Sequence, residues 1–143
     1  GAPYWNSKSR GLITGLTRDS DWRDLVRATI ESVAYQTSDL FLSMRKDGLN
    51  PKSVKVDGGM VSNNWFVQFL SEILKIKITR SKINETTALG AAYMAGYQNG
   101  IYRSLSDIKQ NWKKDRDFKP KFNKSYRNKL LQGWQQAIKK TLA

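Results

Sequence analysis

Cysteine and histidine are both absent from this 143-residue sequence. Without cysteine there are no disulfides and no thiolate-held metals. Without histidine the commonest general base is gone, and with it Ser-His nucleophile pairs and imidazole-held zinc. No stretch approaches the roughly 20 consecutive apolar residues of a membrane-spanning helix. The opening residues GAPYWNSKSR lack the apolar core of a secretory leader. These absences fit a cytoplasmic protein without a membrane span. Acidic residues are also scarce, 12 against 25 Lys and Arg, for a formal net charge of +13.

The basic excess is uneven. Residues 103–143 hold 12 basic and 3 acidic side chains, against 13 and 9 in residues 1–102. Such a tail suits nucleic acid or another anionic surface. The plainer reading is a solvated helical tail that packs on the rest. The basic residues do not form one block, and Trp112, Phe118, Phe122, Tyr126 and Trp134 are interleaved with them. Zinc ligands, an RNP-like aromatic strand and basic-zipper heptads are all lacking. A nucleic-acid-binding module is therefore a rival that rests on charge alone.

Enough apolar material is present for a real core: 39% hydrophobic residues, with five Trp, six Tyr and five Phe. The length is that of one ordinary domain or part of a larger one. GLITGL, residues 11–16, reads as a short strand. Ser20 or Asp21 then starts a long amphipathic helix to about Lys46, with Trp22, Leu25, Val26, Ile30, Val33, Ala34, Leu40, Phe41 and Met44 at three- and four-residue spacing. Ser53–Val56 reads as a strand, Ser62 as the cap of a helix to about Leu74, and LKIKIT (74–79) as a second strand. Asn84 to Thr87 open a helix ending near Gly100. Ser104 and Asp107 form a capping box, and Pro120 precedes a last helix over 125–142. Strand-helix-strand makes a right-handed parallel pair. The class is α/β, but with too few strands to be a stable sheet by themselves.

The most telling stretch is VKVDGGMVSNNW, residues 54–65. Ligands of open parallel sheets sit beyond the carboxyl ends of strands, where Asp57, Gly58 and Gly59 fall. Glycines there admit positive φ and close approach, and the helix just after them favours an anion at its amino end. Asn63 and Asn64 offer amides that both donate and accept. By itself a double glycine is more often a plain tight turn before a capped helix than a ligand site.

The wider pattern goes further. Gly11, Ile13, Gly15 and Leu16, a seven-residue gap, then Asp24, Leu25, Ala28, Thr29, Ile30 and Glu31 resemble the carboxy-terminal signature of the FGGY carbohydrate kinases. APYW (2–5), ESVAYQT (31–37), VDGGMVSNN (56–64), ETTALGAAYMAG (85–96), NWKKDRDFKP (111–120) and GWQQA (133–137) bring the likeness closest to the glycerol-using members. The resemblance covers essentially the whole chain.

That resemblance implies part of an actin-like (ribonuclease H-like) ATPase domain, with few parallel strands flanked by helices. Residues 1–102 would belong to the ATP-binding domain and 103–143 would be a helical tail packed on it. The activity implied is transfer of the γ-phosphoryl of MgATP to glycerol; a kinase for another polyol or sugar is the close alternative. Gly59 would meet the phosphate or ribose region of ATP or ADP, Gly58 would support the turn, and Asn63 would meet adenosine. The catalytic Asp, the Mg2+ ligands and the glycerol site would lie in segments these residues do not include, so the chain alone is expected to be inactive. Exposed sheet edges would favour a homo-oligomer. Asp57 reads as a turn residue and Glu31 as a buried, hydrogen-bonded one. Arg18 reads as paired with an acid, Thr86 and Thr87 as caps. Gly90, Ala91, Ala92, Ala95 and Gly96 read as a face for close helix packing.

Overall fold

A computed structural model describes residues 2–83 and 85–142. The elements run in the order α1 (Trp22–Lys46), β1 (Ser53–Val56), a 3-10 turn (Gly59–Ser62), α2 (Asn64–Leu74), β2 (Lys77–Ser81), α3 (Thr86–Gln98), α4 (Leu105–Gln110), β3 (Lys114–Phe118) and α5 (Lys124–Leu142). Asn84, expected at the opening of α3, lies outside the described residues.

Helix α1 starts where its chemistry says. Asp21 accepts from the Arg23 amide, and Asp24 reaches back to the Asp21 amide at 3.1 Å, a reciprocal cap. Helix α2 is apolar on nearly every side because it is enclosed on nearly every side. Phe66, Val67, Phe69, Leu70, Ile73 and Leu74 are buried among α1, the sheet and α5. Lys75 then turns the chain at φ 55°, so β2 begins later than the alternation of LKIKIT suggests. Ser71, fully buried, donates to the carbonyls of Ile76 (2.8 Å) and Phe118 (3.2 Å) and pins this corner.

β1 and β2 are parallel, as expected. The third strand is not: β3 lies antiparallel to β2 on its outer side, in the order β1-β2-β3. The sheet is therefore mixed, and the tail is not purely helical. KDRDF does not announce itself as a strand, because its alternation is carried by charges. Only Phe118 points an apolar group inward, beside Ile78. A second correction concerns GLITGL. Residues 11–16 form no strand among the described residues, and Leu12, Ile13 and Leu16 are exposed. Alternation cannot make a strand without an edge to pair with.

The carboxy-terminal helix is docked by polar as well as apolar contacts. Trp134 stacks on Tyr35 at 5.4 Å, and its indole N–H donates to buried Asp39 at 2.7 Å; Gln135 donates to the other Asp39 oxygen at 2.9 Å. Arg127 reaches the Ile73 carbonyl at 2.8 Å, the end of α2. Glu31 is held by Arg27 (2.7 Å) and the Tyr35 hydroxyl (3.2 Å), as expected for a structural carboxylate. Burial, and then the Glu31 charge, push the Tyr35 hydroxyl above its ordinary pKa, so it stays protonated and donates.

Candidate functional site

β1 runs straight into the double glycine. Gly58 sits at φ 89°, ψ 174°, a conformation closed to residues with a side chain. Gly59 opens the 3-10 turn with φ outside the left-handed region, and a Cβ built on it would meet nothing within 4 Å. The backbone thus demands glycine at 58. Neither backbone nor packing among the described residues demands it at 59.

The turn is anchored on both sides. The Asp57 carboxylate accepts a hydrogen bond from the Thr86 hydroxyl, tying the end of β1 to the start of α3. Thr86 is therefore a strut rather than a cap. The residue before α3 is Glu85, which makes no side-chain cap bond, and Thr87 is exposed. Ser62, expected as the cap of α2, instead closes the 3-10 turn by donating to the Gly59 carbonyl at 2.7 Å.

Asn63 is the cap. Its Oδ1 accepts from the amides of Trp65 (3.0 Å) and Phe66 (3.2 Å). That leaves Nδ2, which has no hydrogen-bond partner among the described residues. Asn63 also lines a groove of about 330 Å3 between α1 and α2, with Trp22, Arg23, Val26, Arg27, Ile30 and Trp65. Trp65 stacks on Phe69 at 5.2 Å, and the Arg27 guanidinium stands 5.7 Å from the Trp65 ring. Gly58 and Gly59 share the loop with Asn63 but do not line that groove. Asn64 is the first residue of α2 and makes no cap bond of its own.

Two residues that sequence reasoning missed hold this loop. Arg80, at the end of β2, donates through Nη1 to the carbonyls of Val61 (2.7 Å) and Ser62 (3.3 Å). Its Nε and Nη2 both lie 2.7 Å from Asp115 of β3. The available signal was an arginine at the carboxyl end of a strand, but a strand read as ending at Thr79 stops one residue short of it. Arg18, expected to pair with an acid, is exposed and makes no ion pair among the described residues. Of the small-residue face on α3, only Gly96 is closely packed, with the Tyr102 ring 2.9 Å from where a Cβ would stand. Ala91, Ala92 and Ala95 are exposed.

The charged tail is partly used inside the fold. Lys114 pairs with Asp117, Arg116 lies over Phe118 and Arg127 holds the end of α2. No helix among the described residues is long and apolar enough to cross a membrane.

The profile of the FGGY family of carbohydrate kinases, C-terminal domain, matches residues 1–99. Glycerol kinase 1 of Pseudomonas aeruginosa is 49% identical over 140 residues, which is 98% of this chain and 28% of that protein. A glycerol kinase of a Marinomonas species is 51% identical over 138 residues, again 28% of its length. Among solved structures, Plasmodium falciparum glycerol kinase with ADP superposes with a TM-score of 0.85 at 36% identity, over 99% of this chain and 29% of that one. A xylulose kinase from Lactobacillus acidophilus, 24% identical with a TM-score of 0.72, shares the fold. The chain thus spans under a third of the length of these relatives, and its architecture is that of part of an actin-like ATPase domain.

Proposed function

The chain belongs to the FGGY family of carbohydrate kinases, and from that premise we propose that it is the nucleotide-binding, carboxy-terminal portion of an enzyme that transfers the γ-phosphoryl of ATP to glycerol. The observation that carries the nucleotide part is Gly59. It is a glycine that the fold itself does not require, at the carboxyl end of a parallel strand, four residues before an amide with an unused donor. A nucleotide lying against the turn accounts for both. Gly59 leaves room for it, Gly58 supplies the bend, and Asn63 donates through Nδ2 to the base while Oδ1 stays on the helix. Phosphoryl transfer consists mostly of positioning and charge stabilisation, so a rigid backbone cradle is a fitting contribution from this part of the enzyme.

Likeness to glycerol kinases along almost the whole chain favours glycerol over other polyols and sugars. The residues that would read the substrate are not among those described. Nor do these residues suit Mg2+: no group of three or more Asp, Glu or His is placed to hold a metal among them, and Asp57 is committed to Thr86.

The test is a titration of the chain with ADP followed by backbone NMR. Millimolar binding with shifts at Gly58, Gly59 and Asn63 is expected. Asn63→Asp keeps an oxygen cap, since Asp and Asn cap equally well, but loses the donor. Gly59→Ala keeps the backbone and fills the cradle. Each should weaken ADP roughly tenfold without changing the melting temperature, the scale of one lost polar contact or one clash. Normal ADP affinity in both variants, or shifts confined to other surfaces, would overturn the assignment.

The chain should also self-associate. β1 has an unpaired edge among the described residues, and Leu12, Ile13, Leu16, Trp22 and Val26 are exposed. Sedimentation velocity should show dimers or larger species as concentration rises, whereas a monomer at every concentration would count against a homo-oligomer.

A further inference from the structure

We propose that Arg80 and Asp115 form a clamp that sets the shape of the nucleotide turn, so that β3, beyond the segment matched by the family profile, acts on the site. The inference rests on the nucleotide reading above. Arg80 bridges three pieces of chain that are distant in sequence. Its backbone belongs to β2, its Nη1 holds the carbonyls of Val61 and Ser62, and its other nitrogens hold Asp115. The Arg80 side chain is 13% exposed, and its guanidinium lies 5.4 Å from the Phe118 ring.

The two carbonyls matter because they lie immediately before Asn63 in the chain. The Ser62 carbonyl shares a peptide plane with the Asn63 amide, so fixing the one orients the other. Asn63 then aims Oδ1 at α2 and Nδ2 away from it. Asp115 keeps the guanidinium from swinging out, and the planar fork lets one side chain serve both partners. A lysine in its place has a single charged point and cannot do both.

A neighbouring pair provides the control. Asp117 is also on β3 and also crosses to β2, accepting from Thr79 at 2.7 Å and Lys114 at 3.1 Å. It touches nothing in the turn. Asp117→Asn therefore weakens the same strand pairing without loosening the loop.

Three variants of the full chain would be compared with the parent by amide hydrogen exchange and ADP titration. Arg80→Lys should speed exchange at Asn63, Trp65 and Phe66, and weaken ADP roughly tenfold, the scale of lost charged hydrogen bonds. Asp115→Asn, at a half-exposed position the fold tolerates, should do the same more mildly, by roughly threefold. Asp117→Asn should leave exchange in the turn and ADP affinity at parental values. The clamp is overturned if Arg80→Lys and Asp115→Asn leave turn exchange unchanged, or if Asp117→Asn reproduces their effects. A parent chain that binds no ADP sinks the nucleotide reading instead, and turn exchange still judges the clamp.

Discussion

Replacing Glu72 with leucine is expected to destabilise the chain by roughly 2–5 kcal/mol, a large share of the 5–15 kcal/mol typical of a folded domain. Glu72 is 2% exposed, in the last turn of α2, yet it carries a carboxylate. Its Oε2 accepts from the amides of Lys121 (2.5 Å) and Phe122 (2.7 Å), and its Oε1 accepts from Gln68. Gln68 in turn donates to the Lys119 carbonyl at 2.9 Å. This network fixes the bend that launches α5. Leucine fills the space but removes the charged acceptor of two partly buried N–H groups, and a hydrogen bond to a charged group is worth about 1.5–3 kcal/mol. Glutamine keeps one acceptor and should cost less. Urea unfolding followed by tryptophan fluorescence would measure both. A leucine variant within about 0.5 kcal/mol of the parent would show that the carboxylate does not hold the tail.

Much of the fold was legible because its signals are local. Asp21 and Asp24, Ser104 and Asp107, and the apolar spacing of α1 and α2 each depend on residues a turn apart. The parallel pair is implied by a strand-helix-strand order. What stayed hidden depends on partners far along the chain. β3 is charged and acquires its strand character only from pairing with β2, about 35 residues away in sequence. Glu72 looks like a surface residue until the 121–122 amides are brought to it. The α1 periodicity is that of a helix, but it overstates the core, since Trp22, Val26 and Leu40 remain exposed.

The site divides in the same way. Gly58, Gly59 and Asn63 stood out because they fall at the carboxyl end of a parallel strand within a stretch that resembles the FGGY kinases. The structure then separates the two glycines, one needed by the backbone and one not. It also makes Asn63 the cap of α2 in place of Ser62. An Asn63→Leu variant would therefore confound loss of a helix cap, worth about 1 kcal/mol, with loss of a ligand contact. Asn63→Asp separates them. Arg80 could not be found this way, because its function lies in two carbonyls and one carboxylate that only the folded chain assembles.

The largest effect concerns catalysis. The 143 residues by themselves are expected to form no glycerol 3-phosphate from ATP and glycerol above the buffer rate. Holding two reactants in line accounts for about 7–11 kcal/mol of an enzyme's advantage, and a one-sided cradle open to water cannot supply it. The candidate site has such a single wall: the DGG turn, the start of α2 and the start of α3, where the Asp57 carboxylate is already hydrogen-bonded to Thr86. Mixing the chain with the part of the Pseudomonas aeruginosa relative outside the matched 28% should give turnover, because the edge of β1 left unpaired among the described residues and the exposed stripe of α1 offer the surface on which such a part would dock. Arg80→Lys should lower that rate by raising KM for ATP more than by lowering kcat, since the clamp shapes binding rather than the reacting atoms. Rapid turnover by the purified chain alone would contradict this division of labour, and would mean that the acceptor and the proton-accepting group are both held by residues assigned here to structure.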